Sequence, residues 1–149
     1  MSVLDDIATL LVNAGVGTIA SGNPPPAFSI FVSSAAPIPV GMGPYLTLNI
    51  TGGVAPTRVQ NSRPPNTVRP TVQVLVRAGR IAGTQEAWPA AYAMALAAYV
   101  ALDGIFNTSI NGVFYLSITA RQEVTDMGLD ATGLRVQLVF NLDIEKVFS

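Results

Sequence analysis

The chain has no cysteine and no histidine among its 149 residues. Those two absences exclude a thiolate nucleophile, a Ser-His-Asp triad, a disulfide framework and zinc sites built on nitrogen and sulfur ligands. Charge is scarce as well: Asp, Glu, Lys and Arg make up 11 % of the residues, against about 25 % in an ordinary soluble domain. A net charge of -1 offers no bulk attraction to nucleic acid or to an anionic membrane. Apolar residues reach 50 % with a mean hydropathy of +0.45, which excludes an intrinsically disordered chain. Long hydrophobic runs are missing too. The longest uncharged apolar stretch, residues 87–102, would make a helix of about 24 Å, short of the roughly 30 Å hydrocarbon core. Two acids, Asp5 and Asp6, stand where a secretory signal needs bases. The expectation is a soluble intracellular chain of one domain, residues 1–149, with no membrane partner.

What is present is unevenly distributed. Ten of the eleven prolines fall between Pro24 and Pro70, so regular structure in a Pro/Gly-rich region of about 20–70 is expected to be short. Before it, Val3, Leu4, Ile7, Leu10, Leu11 and Ala14 recur at helical spacing. Ser2 can cap that helix, Asp5 and Asp6 favour its N-terminal dipole, and Gly15 or Gly17 can stop it. Strands are expected over 28–34 and 45–51, and an irregular loop over 52–69, where no apolar period exists.

From Pro70 onward the pattern is regular. Val72, Val74 and Val76 alternate as in a half-buried strand. A helix then starts at Thr84 or just before Pro89 and ends near Asp103-Gly104. Its large residues Trp88, Tyr92, Leu96, Tyr99 and Leu102 make one apolar stripe. Its seven alanines between Ala90 and Ala101, with Ala91 and Ala98 as the named candidates, either pack on the chain's own sheet or dock on a neighbouring subunit. Asn111-Gly112 predicts a two-residue hairpin. Residues 126–133 read as turn chemistry, a solvated hairpin tip and not a calcium loop. The last segment sets Leu134, Val136, Leu138, Phe140, Leu142 and Ile144 on one face of a long strand. The expected fold class is therefore α+β: a mainly antiparallel sheet of about five strands, one long helix packed across it, and a short N-terminal helix.

No phosphate loop, dinucleotide fingerprint or carboxylate pair marks an active site, so no catalytic, cofactor-binding or metal residues are expected and the chain reads as a non-enzyme. One charge feature stands out. Arg58, Arg63, Arg69, Arg77 and Arg80 occur within a stretch free of acids, while residues 1–57 hold no base. Arginine pairs equally with phosphate and carboxylate. The stretch has no aromatics for base stacking, which favours protein contact over nucleic acid, with internal pairing to Asp126, Asp130 or Asp143 as the alternative.

The order of these elements resembles a known family. Thr51-Gly-Gly-Val-Ala-Pro-Thr-Arg58, Pro70-Thr-Val-Gln-Val-Leu-Val-Arg77, Ala90-Ala-Tyr-Ala-Met-Ala-Leu, Ile110-Asn-Gly-Val-Phe-Tyr-Leu and Leu129-Asp-Ala-Thr-Gly-Leu follow one another as in the tailed-bacteriophage minor capsid and tail terminator proteins. The resemblance spans nearly the whole chain and departs from the family between Ser33 and Pro44 and at Pro24-Pro25-Pro26. It implies a homo-oligomeric, hexameric ring that caps the tail tube protein and meets a head-side connector or stopper protein. DNA passes through its channel without specific binding, and no cofactor is used. The implied location is the virion tail or neck, assembled in the host cytoplasm; a head-closure protein or a tail tube subunit is the alternative. Arg58, Arg63 and Arg69, with Ala91 and Ala98, are the expected assembly contacts.

Overall fold

The computed structural model describes residues 2–22, 25–32, 43–57, 67–79, 87–129 and 135–147. Helix α1, Val3–Asn13, begins in a capping box: Ser2 accepts the Asp5 backbone N–H, and the Asp5 carboxylate accepts the Ser2 N–H. This satisfies donors that a helix leaves bare at its start. Its C-terminus closes with the Val16 N–H on the Leu11 carbonyl and the Gly15 N–H on that of Val12, the bonding of a Schellman motif. The chain then enters β1, Thr18–Ile19, through Gly17. A Cβ there would lie 2.2 Å from the Phe28 carbonyl oxygen, so only glycine permits this approach.

Seven more strands follow: β2, Ser29–Phe31; β3, Tyr45–Thr57; β4, Thr67–Gly79; β5, Ile105–Ile110; β6, Val113–Ala120; β7, Thr125–Leu129; and β8, Arg135–Val147. Helix α2, Ala87–Leu102, lies between β4 and β5. The strands form one sheet in the order β1-β2-β3-β4-β8-β6-β5, with β7 also on β8. β1–β2 and β2–β3 pair in parallel and all other pairs are antiparallel. The sheet curls into a half-barrel, and among the described residues its strands far outweigh the two helices.

This overturns the expected α+β class of a mainly antiparallel sheet of about five strands with one long helix packed across it and a short N-terminal helix. Among the described residues the sheet is mixed, has eight strands and outweighs both helices. Each misread segment has its own physical cause. β1 has two residues, too few for any periodicity, whereas β2 falls inside the strand expected over 28–34 and is shorter than expected. At both ends of the expected loop 52–69 the chain is strand: β3 runs on to Thr57, with register shifts at Ile50/Gly52 and Val54/Thr57, and β4 starts at Thr67, while residues 58–66 lie outside the described residues. β7, read as a turn, is exposed at all five positions. A strand that buries nothing shows no hydrophobic alternation.

Where a strand does bury one face, sequence and structure agree. Val136, Leu138, Phe140, Leu142 and Ile144 of β8, and Val72, Val74 and Val76 of β4, lie inside. They meet Ile7 and Leu11 of α1 and Met94 and Leu102 of α2 in one core. Each such side chain contributes about 1.5–3 kcal/mol when fully buried. Asn111 and Gly112 have φ 50° and 81°, the two left-handed residues of a type I′ turn joining β5 to β6. β6 and β7 lie end to end along the edge of β8, and at their joint the Arg121 N–H bonds the Asn141 carbonyl at 2.8 Å.

Candidate assembly surfaces

α2 carries apolar side chains on every face, so hydropathy does not orient it. Packing does. Ala91, Met94, Ala95, Ala98 and Leu102, at spacings of three and four, are buried against the sheet. Small side chains let the helix backbone sit close to Val74, Phe140 and their neighbours. Tyr92, Leu96 and Val100 are left 37 %, 43 % and 72 % exposed. The sequence expectation had set Tyr92 and Leu96 in the same stripe as Leu102, which alone of the three is buried. Ala91 and Ala98, named as assembly contacts, have no exposed surface, and the outward face of α2 is built from Tyr92, Leu96 and Val100 with the exposed alanines Ala93 and Ala97 between them. Tyr99 is intermediate and meets Phe140 edge-on, ring centroids 5.5 Å apart.

The outward face continues onto β7. Trp88 stacks on Tyr92, centroids 4.9 Å apart and planes within 10°. The Trp88 indole N–H donates to the Asp126 carboxylate at 3.0 Å, whose other oxygen accepts the Gly128 N–H at 2.7 Å. Met127 and Leu129 stand exposed on the same strand. A second apolar surface lies on the β5–β6 hairpin. Phe106 and Phe114 are 57 % and 40 % exposed, and Phe114 points away from the helices because its neighbour Tyr115 points toward them. Sequence reasoning passed over Phe106, Phe114, Val100 and Met127. Their hydrophobicity was visible, but their exposure depends on strand kinks and helix rotation that tertiary packing sets.

The bare face of the sheet carries the charge. A cleft of about 430 Å³ is lined by Arg69, Ser117, Thr119, Arg121, Asp143 and Glu145. Arg121 grips Asp143 with two bonds, Nη2 to Oδ1 at 2.6 Å and Nε to Oδ2 at 3.2 Å. The hydrogen bond to Asp143 and its negative charge hold the Arg121 guanidinium above its ordinary pKa. Thr71 donates to the same carboxylate at 3.4 Å. Arg69, one of the expected contacts, sits 3.9 Å from Glu145. Arg77 is half-buried on β4. Arg58, Arg63 and Arg80, with Asp130 of the expected pairing, lie outside the described residues. The cleft is thus lined by charge pairs of opposite sign, each half-exposed and worth little in water.

A further polar cluster is buried where α1 meets the β5–β6 hairpin. Asp6 is fully buried. It accepts a short hydrogen bond from the Tyr115 hydroxyl and a 2.8 Å bond from the Asn111 amide, which also reaches the Thr9 hydroxyl at 3.1 Å. Burial first, then the bond to Asp6, pushes the Tyr115 hydroxyl well above its ordinary pKa. The sequence clue was the position of Asp6, three residues after Val3 and four before Leu10, on the apolar side of the helix. Among the described residues no group of acidic side chains is arranged to hold a metal ion, and no helix is long and apolar enough to cross a membrane.

No protein-family model and no curated protein matches the chain. Among solved structures it is similar to a chain of a particle described as "Virion of native gene transfer agent (GTA) particle", with 15 % identity over 93 % of this chain and 84 % of that one. The TM-score is 0.46, too low to assign this chain a fold family or a role.

Proposed function

We propose that the chain is a structural subunit of a tailed-phage type virion, and specifically a ring-forming tail terminator that caps the tail tube and faces the head-side connector. The observation that carries this reading is the pair of unlike apolar surfaces on one subunit. Tyr92, Leu96 and Val100 stand outward on α2, while Phe106 and Phe114 stand on the other side of the sheet. Two unlike patches on one chain suit a head-to-tail contact that closes after a fixed number of copies. Exposed apolar area of this kind marks interaction surface in a charge-poor chain.

The proposal includes the absence of catalysis. It also includes a channel that lets DNA slide, since the described cleft arginines are matched by Asp143 and Glu145 and a neutralised guanidinium holds phosphate weakly. The sequence resemblance supplies the tail location, the hexameric ring and the tube and connector partners. A head-closure protein or a tube subunit is the second reading, supported by the same surfaces.

Native mass spectrometry and negative-stain images of the purified chain separate these outcomes. A terminator gives isolated rings of fixed mass, and a tube subunit gives long tubes. A chain that stays monomeric at high concentration and in the presence of tail tubes counts against the whole reading.

A further inference from the structure

The sheet has two ends that no strand covers among the described residues. β5 is the last strand in the sheet order, paired with β6 only. Toward the other end, where β1 is the last strand, β2 pairs with β3 only from Tyr45 to Thr47, so β3 beyond that point meets β4 and no other described strand. Edge strands of monomeric proteins are ordinarily blunted by charged side chains. Neither edge carries one: β5 reads IFNTSI and β3 reads YLTLNITGGVAPT.

We propose that a second copy of this chain covers the β5 edge, by laying its β3, from Leu48 toward Val54, alongside β5. Strand direction supports this pairing. Four antiparallel steps, β3 to β4, β4 to β8, β8 to β6 and β6 to β5, leave β3 and β5 of one copy running the same way. Copies that all point along one ring axis therefore bring β5 of one beside β3 of the next in parallel. The chain already uses parallel pairing at β1–β2–β3. The lengths fit: six residues of β5 need about 20 Å of partner, and the open part of β3 before Pro56 supplies about 26 Å at roughly 3.3 Å per residue. Because the two edges differ, the contact is heterologous and compatible with closure. The sheets of successive copies become one continuous sheet. This inference rests on the ring reading above.

The hairpin fixes which groups to test. In a two-residue hairpin Ile110 and Val113 exchange hydrogen bonds, so in the alternating ladder the N–H and C=O of Ser109 point away from β6, toward the open edge. Ser109→Pro removes an outward donor without touching the β5–β6 ladder. It is expected to raise the concentration needed for assembly on the order of tenfold or more, with an unchanged far-ultraviolet circular dichroism spectrum. Ser109→Lys, which keeps the backbone donor and places a charge on the edge, is the second variant should the proline perturb folding.

The absence of native cysteine makes a cross-linking test free of background. Ser109→Cys combined with Thr51→Cys, treated with a short bifunctional maleimide, is expected to give a denaturing-gel ladder of dimers, trimers and higher multiples; neither single variant does so. Rings of unchanged mass that run only as monomers on the gel overturn the edge pairing and leave the ring reading standing. A ladder that stops at dimers with Ser109→Cys alone overturns β3 as the occupant. A chain that is monomeric throughout overturns both.

Discussion

Asp6 ties the N-terminal helix to the rest of the molecule. A fully buried carboxylate is tolerated only when its oxygens are matched by donors, and here Tyr115 and Asn111 supply them. Tyr115→Phe removes one donor and leaves the charge under-satisfied. It is expected to destabilise the fold by about 1–3 kcal/mol, read as a lower urea midpoint. Asp6→Leu combined with Tyr115→Phe removes both partners and is expected to recover part of that loss. Two independent, additive losses would show that the hydroxyl and carboxylate do not act as a pair.

Asp5, one residue earlier, has a different role. The backbone N–H of Ser2, and then its hydroxyl, hold the Asp5 carboxyl below the ordinary aspartate pKa. A depressed folded-state pKa contributes stability above the unfolded value, and that stability is lost as pH falls through the folded one. Asp5→Asn is therefore expected to flatten the acid limb of the stability profile just below the ordinary aspartate range, by a small amount because the site is solvent-screened. A limb of unchanged slope would show that the capping box carries no pH dependence.

At the scale of elements, α2 offers a clean contrast between its two faces. Ala98 has no exposed surface and Leu96 is 43 % exposed. Ala98→Leu is expected to cost about 1–3 kcal/mol through overpacking against the sheet. Leu96→Glu is expected to change stability by no more than about 0.5 kcal/mol while reducing assembly, measured by light scattering. The reverse pattern would mean that the large side chains pack on the chain's own sheet and the alanine face meets the neighbour.

The same helix shows where sequence stops being informative. Its length and its alanines were legible, but which face turns inward was not, because every face is apolar. β8 was legible along its whole length because Val136, Leu138, Phe140, Leu142 and Ile144 recur at every second position, with polar residues between them except at Val139, and that side faces the core. β7 and the outer reach of the β3–β4 hairpin were not, because main-chain hydrogen bonds hold them and these leave no trace in side-chain identity. Of the named contact residues, Arg69 is at the surface beside Glu145, while Ala91 and Ala98 face inward. Their helical positions differ from those of Leu96 and Val100 by a rotation that hydropathy does not encode.

At the scale of the whole molecule, scarcity of charge sets how assembly should respond to solvent. The described ion pairs, Arg121 with Asp143 and Arg69 with Glu145, link residues of the same chain. An association carried by apolar side chains and strand edges is insensitive to screening. Raising salt toward ~1 M, where the Debye length is roughly 3 Å, is expected to leave the particle mass unchanged or to raise it. Dissociation under those conditions would place charged contacts at the centre of the interface.

Trp88 gives these measurements an internal signal. It is the only tryptophan in the chain, stacked on Tyr92 and bonded to Asp126 at the junction of α2 and β7. An indole at that position reports the polarity of its surroundings. Under the proposed assembly a partner covering the outward face of α2 is expected to exclude water from the ring and move its fluorescence emission to shorter wavelength; emission unchanged on assembly would place the contact elsewhere. The protein thus carries its own optical probe at one of its two apolar surfaces, and stopped-flow fluorescence can follow occupation of that surface without any label.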